Sequence, residues 1–339
     1  MDTLSFFSQS RVLIVTGKGG TGKTTVSGVM ANLAARVGLN VVVVQVAAAG
    51  DRLEPETANL CRLFGEQAVL GYEELSLRPG PPGQVKARSL RPDTALVEYL
   101  HLHGAKRLSR RLLNTGALEV VATAVPGMPD MLVLGKVKQM ERAAAAGQAG
   151  AADVIVLDAP AAGHAVRFLQ SPHGLLEAAA AGPVRAQARD VVEMLEDPSR
   201  CQVVLVTTPE ETPVNETVEV AQLLEDRAAV KLCAVVVNAR FPPLDLPAGL
   251  SVPELAPLAQ ASGLALAPGE LASLASAGQL RRQRMEAQAA QVARLASELP
   301  LPQLELPFIF SVDLGPAELG TLTDALQASV ANWQPVGLP

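Results

Sequence analysis

Arg11–Thr25, RVLIVTGKGGTGKTT, is the stretch from which the fold is read. Val12 to Val15 is a short apolar run suited to a buried strand. Gly17 to Thr24 then fits the phosphate-binding pattern G-x-x-x-x-G-K-[ST], with Lys23 as its lysine. Glycines at 17, 19, 20 and 22 let the loop curl so that backbone N–H groups, that of Thr21 included, face one anionic centre. The helix that follows adds the positive end of its dipole to the same spot, and Thr24 carries the hydroxyl suited to Mg²⁺. A bare glycine loop is as readily an accidental turn. Here the flanks argue otherwise, because Val26, Val29, Met30, Leu33, Ala34 and Val37 repeat at helical intervals and Gly38 closes the run. Val41 to Val46 reads as a second buried strand.

Working outward, 339 residues can bury a large core, and 49% apolar against 18% charged residues argues against disorder. A net charge of −6 leaves no electrostatic footprint for nucleic acid. Met1 to Ser10 lacks the basic and apolar regions of a signal peptide, and the apolar runs fall short of the roughly 20 residues a membrane span needs. The expectation is a cytoplasmic protein with no direct membrane insertion. Cys61, Cys201 and Cys233 stand apart with no C-x-x-C pair, so buried thiols are expected rather than a zinc or dithiol site.

Along the chain, Cys61 to Glu66 predicts the start of a short helix. A turn-rich insert, SLRPGPPGQVKARSL, falls between strands near Glu74–Leu77 and Gln84–Leu90. From Pro92 to Gln148 the pattern is helical, with Met131, Leu132, Val137 and Met140 as one stripe. DVIVLD, Asp153 to Asp158, is a buried strand ending on an acid, at the end where open α/β sheets bind ligands. APAAGHAVRFLQSP reads as a loop around Gly163, followed by one helical block from Gly174 to Glu196 that Pro198 stops. Gln202–Thr207 and Leu232–Asn238 are strands around a helix with acids in its first turn. Phe241 to Gly278 yields no assignment. Leu280–Leu299 is a polar-faced helix, Leu301–Phe310 a strand broken by Pro302 and Pro307, and Ala317–Ala331 a last helix. Alternating strands and helices, the strands apolar on both faces, predict an α/β fold: a mainly parallel, doubly wound sheet.

These letters also carry a resemblance. GKGGTGKTT has a second lysine, Lys18, after its first glycine, as in the deviant phosphate loop of signal-recognition and MinD-type ATPases. DAPAAGHAVRFLQSP, PGMPDMLVLGKVKQM, TTPEETPVNETVEVAQLL and VVVNARF resemble, in order, segments of the arsenite-pump and tail-anchored-protein-targeting ATPase family. The resemblance spans roughly residues 11 to 310. It implies a single phosphate-loop ATPase domain over residues 1–339, with a helical subdomain inserted at about 92–147 and 171–200. The cofactors it implies are ATP and Mg²⁺.

Roles follow position by position from that resemblance. Gly17, Gly19, Gly20, Thr21 and Gly22 cradle phosphate, Lys23 contacts the β- and γ-phosphates, Thr24 holds Mg²⁺ and Thr25 meets the α-phosphate. Lys18 reaches across a dimer, neutralising transition-state charge as an arginine finger does. Asp158 stands behind the Mg²⁺ ligand sphere through water, and Gly163 senses the γ-phosphate. Asn238 reads adenine, with Pro307 and Phe308 on the other side of the base. The plain alternatives are a strand-end turn former for Asn238 and a non-catalytic filler for His164. Met128, Met131 and Met140 are either helix core or pliable contacts to a hydrophobic or membrane-protein client.

One departure bears on turnover. The family's catalytic carboxylate lies just after the second strand, and QVAAAGD places Ala47 there, with Asp51 four residues later. Loss of a water-orienting group costs orders of magnitude in rate. Nucleotide binding is therefore expected and brisk hydrolysis is not. The expected state is a homodimer, or a heterodimer with a related ATPase that retains the acid. The arsenite-pump cysteine spacings are missing as well.

Overall fold

A computed structural model describes residues 1–47, 55–102, 126–244 and 251–333. Asp51 and most of the helical reading between residues 103 and 125 lie outside the described residues. Among the described residues, eight strands form one sheet in the order β3-β4-β2-β5-β1-β6-β7-β8. Their ranges are β1 Val12–Gly17, β2 Val41–Val46, β3 Leu75–Arg78, β4 Val85–Leu90, β5 Val154–Asp158, β6 Cys201–Thr207, β7 Leu232–Arg240 and β8 Gln303–Pro307. All neighbours run parallel except β3 with β4. The doubly wound reading therefore stands, and β1, flanked by β5 and β6, is the strand where the winding reverses.

The apolar strands are buried on both faces because side chains alternate. Val12, Ile14, Val42, Val44, Ile155 and Leu157 face one layer, made by α5 (Met128–Ala145), α6 (Ala162–Ala178), α7 (Pro183–Glu196) and α8 (Glu211–Ala228). Leu13, Val15, Val41, Val43, Val154 and Val156 face the other. That layer holds α1 (Thr3–Ser8), α2 (Lys23–Arg36), α3 (Pro55–Leu63) and α11 (Pro316–Ala331). α4 (Pro92–Leu102) packs on α5 through a satellite cluster of Ala95, Leu96 and Leu132. α9 (Val252–Ala261) and the first turns of α10 (Pro268–Glu298) fall in the stretch that the sequence leaves unassigned, and the rest of α10 is the polar-faced helix expected from Leu280.

Three local expectations are corrected. The segment after Asp158 is not a loop through residue 172, since α6 begins at Ala162 and takes in Gly163 and His164. Pro172 sits inside it, where its missing N–H strands the Phe168 carbonyl. The Ser171 hydroxyl donates to that carbonyl at 2.9 Å, so the helix runs on. The single block expected from Gly174 to Glu196 is two helices, broken by Gly182 at φ +99° with Pro183 opening the second. Near Cys61 the helix ends rather than begins, at Leu63, with Gly65 in the left-handed region behind it. Met131 is buried in the core and Met140 packs against it, while Met128 lies against the satellite cluster. No helix among the described residues is long and apolar enough to cross a membrane.

Candidate functional site

Parallel strands put all their carboxyl ends on one edge. Gly17, Ala47, Asp158, Thr207, Asn238 and Pro307 therefore converge there, at or within two residues of the ends of β1, β2, β5, β6, β7 and β8. The loop between β1 and α2 occupies the centre of that edge. A Cβ on Gly17 would stand 2.0 Å from the Val206 carbonyl oxygen, so only glycine lets β1 leave the sheet here. Gly22 caps α2 at φ +89°, and a Cβ there would meet Asn238 Nδ2 at 2.3 Å. Asn238 Nδ2 instead donates to the Thr21 carbonyl at 2.9 Å, tying the strand end to the loop.

The Lys18 carbonyl gathers donors: Thr21 Oγ1 at 2.9 Å and Lys23 Nζ at 3.2 Å. The Lys18 ammonium points the other way, pairing with Glu216 of α8 at 2.5 Å. Thr25 lies in the first turn of α2, and a Cβ added at Gly19 or Gly20 meets nothing within 4 Å. The backbone of the loop thus opens onto free space. Phe308 turns into a ring cluster with Phe241 and Phe310, at 5.1 and 4.8 Å, over which Arg281 stacks. Pro307 pairs with Arg240, two residues beyond Asn238.

Asp158 is the buried anion of the site. Register explains its company: Gln45 of β2 and Val15 of β1 sit beside it, on the face that α2 covers. Thr24 Oγ1 donates to its carboxylate at 2.7 Å, Gln45 Nε2 at 3.0 Å and Ser27 Oγ at 3.4 Å. Burial pushes the Asp158 carboxyl up, and the Gln45 and Thr24 hydrogen bonds and the charge of Lys23 pull against it.

The donor set decides whether Mg²⁺ and a triphosphate fit. A threonine hydroxyl backed by a carboxylate is a hard-oxygen pair suited to Mg²⁺. Gln45 Oε1 is buried with no hydrogen-bond partner among the described residues, an acceptor that a metal-bound water would satisfy. With the open loop backbone and two lysines, the residues fit the group.

Several of these residues escape sequence reasoning. Gln45 is detectable only as the polar letter in VVVVQV, and Ser27 as a hydroxyl one turn beyond Thr24. Glu216 lies inside a quoted motif, yet nothing in the letters pairs it with Lys18. Asp130, inside the quoted PGMPD stretch, opens α5; burial raises its carboxyl while the neighbouring charge of His164 lowers it.

The three thiols sit apart. Cys201 belongs to the core on one face of the sheet, Cys61 and Cys233 to the core on the other. Burial raises all three, Cys233 to about 12. No cluster of three or more metal-ligating side chains exists among the described residues.

Comparison with known proteins follows the same lines. No family model matches the chain. The protein named ATPase BagA in Mycobacterium tuberculosis is 32% identical over 327 residues, covering 92% of this chain and 91% of that one. An ATPase of Mycobacterium bovis matches to the same extent. A Halobacterium salinarum protein named as an arsenical pump-driving ATPase is 28% identical over 247 residues, 69% of this chain and 36% of that protein. Similarity over nine-tenths of both chains is a relationship of whole proteins, and this chain belongs to the arsenite-pump-like family of ATPases.

Proposed function

We propose that the chain is a Mg·ATP-binding subunit whose occupancy controls a dimer and, through it, the surface of helices in residues 92–147 and 171–200 that meets a hydrophobic client or partner protein. The observation that carries this reading is the Thr24–Asp158 pair, 2.7 Å apart beneath a loop that holds two lysines. Mg²⁺, when bound, would neutralise charge on the phosphates. Thr24 offers the metal its hydroxyl, and Asp158 orients that hydroxyl and accepts from the metal's waters. Lys23 exchanges the Lys18 carbonyl for phosphate oxygens. Lys18, once released from Glu216, is long enough to leave its own subunit, which gives the dimer a nucleotide-dependent contact.

Ala47 weakens the chemical step. It has no group to hold or deprotonate the attacking water, so this chain alone turns over slowly. The same residue favours a second arrangement, in which the chain is the non-hydrolysing subunit of a heterodimer and regulates a related ATPase. An arsenite-pump motor is disfavoured, since its thiols would have to meet and the sheet keeps Cys201 apart from Cys61 and Cys233.

Calorimetric titration of the full chain with Mg·ATP tests the proposal, with saturable one-to-one binding expected; absence of heat and of any thermal shift would sink it. Turnover is then measured on the chain alone and on Ala47→Asp. Restoring the acid is expected to raise the rate by about one to two orders of magnitude. Brisk hydrolysis by the unaltered chain would remove the case for a weakened site.

A further inference from the structure

Away from the nucleotide edge, α4, α5 and α7 enclose a cavity of about 790 Å³, within the roughly 300–1,000 Å³ usual for small-molecule sites. Its wall changes character along α5. At the amino end of that helix Met128, Met131 and Leu132 face Leu96 and Tyr99 of α4, an apolar half continuous with the satellite cluster. At the carboxyl end Lys138 and Arg142 face Gln187 and Asp190 of α7. From Met131 to Arg142 the helix rises roughly 16 Å, so the two halves are the ends of an elongated chamber. Gly135 lies between them, and a Cβ there would come within 2.4 Å of Gln187 Nε2. The missing side chain lets Gln187 reach across to Lys138, whose Nζ donates to its Oε1 at 2.9 Å.

The charges do not cancel. Lys136, Lys138 and Arg142 line the chamber against two carboxylates, Glu98 and Asp190, leaving one net positive charge. Glu98 is engaged by Lys136 at 2.5 Å and by the Tyr72 hydroxyl. Lys138 and Arg142 both reach the same oxygen of Asp190, each at 3.0 Å. Two cations thus share one oxygen at the polar end, and the Lys138 side chain is only 7% exposed. Burial lowers the Lys138 ammonium, and Asp190 opposes that shift.

We infer that this chamber is a binding site for a single-chain amphiphile with a monoanionic carboxylate head, the head lying at Lys138 and Arg142 and the tail along Leu132, Met131 and Leu96. A monoanion matches the single uncompensated charge, and an arginine with a lysine beside it receives a carboxylate by charge-assisted hydrogen bonds. A straight alkyl chain matches an apolar half floored by methionines, which accommodate irregular shapes. The inference gives a chemical class to the client surface of the proposed function and rests on that reading for the role of the surface; the chamber itself is defined by its lining and is tested first without nucleotide.

The test uses the full chain and dodecanoate as probe, with dodecanol and dodecyltrimethylammonium as head-group controls, read by calorimetry and native mass spectrometry. Dodecanoate is expected to bind one-to-one and about tenfold or more tighter than either control. Arg142→Glu, whose side chain is 53% exposed, should remove that preference without moving the thermal midpoint. Ala143→Trp, at the polar end, should block binding of all three while leaving the fold intact. Equal binding of the three probes, or a dodecanoate affinity indifferent to Arg142→Glu and Ala143→Trp, overturns the inference. Mg·ATP titrated into the same samples separates the two readings: nucleotide bound with dodecanoate ignored overturns this site alone, and the converse overturns the nucleotide reading alone.

Discussion

The loop between β1 and α2 and the chamber under α4, α5 and α7 are both charged, ligand-sized features, yet they are built in opposite ways. The loop is written in eight consecutive letters and works through backbone, with glycines whose side chains would collide with Val206 and Asn238. The chamber is assembled from three helices and works through long side chains, Lys138 and Arg142 converging on Asp190 some 50 residues away. The difference teaches that a backbone-made site tolerates almost no substitution, whereas a side-chain-made site can be retuned one group at a time.

That contrast can be broken or sharpened by mutation. Gly17→Ala should cost the most, about 3 kcal/mol of unfolding free energy in denaturant titrations without nucleotide, because the added Cβ meets a strand carbonyl that cannot retreat. A loss below ~1 kcal/mol would show a softer loop than the geometry allows. Lys23→Ala should come next, lowering Mg·ATP affinity about 100-fold by calorimetry with stability nearly unchanged, the value of a charge-assisted contact to phosphate.

A third substitution probes the helical layer outside the chamber. Glu141 of α5 is 1% exposed between Arg11 and Arg200, bonded at 2.8 and 2.7 Å. Burial would raise its carboxyl, but the hydrogen bonds from Arg200 and Arg11 hold it below the ordinary value of 4.5. A lowered carboxyl contributes stability above the unfolded value and loses it as pH falls through the folded one. Glu141→Gln should therefore cost about 2 kcal/mol at neutral pH and flatten the loss of stability below pH 4.5. The figure stays under that of a fully buried pair because both arginines reach solvent, at 35% and 18% exposure. Smallest is Glu216→Gln. Its pair with Lys18 is 31% and 41% exposed, so the change should move stability by less than ~1 kcal/mol. Yet it should strengthen nucleotide-dependent dimerisation in sedimentation if Glu216 is what holds Lys18 at home.

How much of this was legible depended on whether information was local. The strands announce themselves because each is apolar throughout, and a parallel sheet buries both faces. β7 and the phosphate loop follow from their letters alone. α6 does not: Gly163, Pro172 and a run of alanines read as a loop, and only the Ser171 hydroxyl substituting for a missing N–H keeps the helix whole. α10 is half hidden: its polar-faced stretch from Leu280 is readable, but its start at Pro268 is not, because the 31 residues bury only Ala275 and Leu295 and show no stripe. In the site, Lys18, Lys23, Thr24, Asp158 and Asn238 lie in motifs and are brought to one edge. Gln45 becomes visible only once register sets it beside Asp158. The pairing of Glu216 with Lys18 needs tertiary structure altogether.

The sheet's separation of the cysteines has a practical corollary for anyone who wants to watch this molecule move. Three shielded, poorly ionised thiols make the wild-type chain a nearly silent background for maleimide labelling. A single cysteine placed on an exposed turn, such as at Ala149 behind α5, would then carry a dye or spin label alone. Whether Mg·ATP drives the proposed closure could then be followed by distance without first stripping native residues from the core.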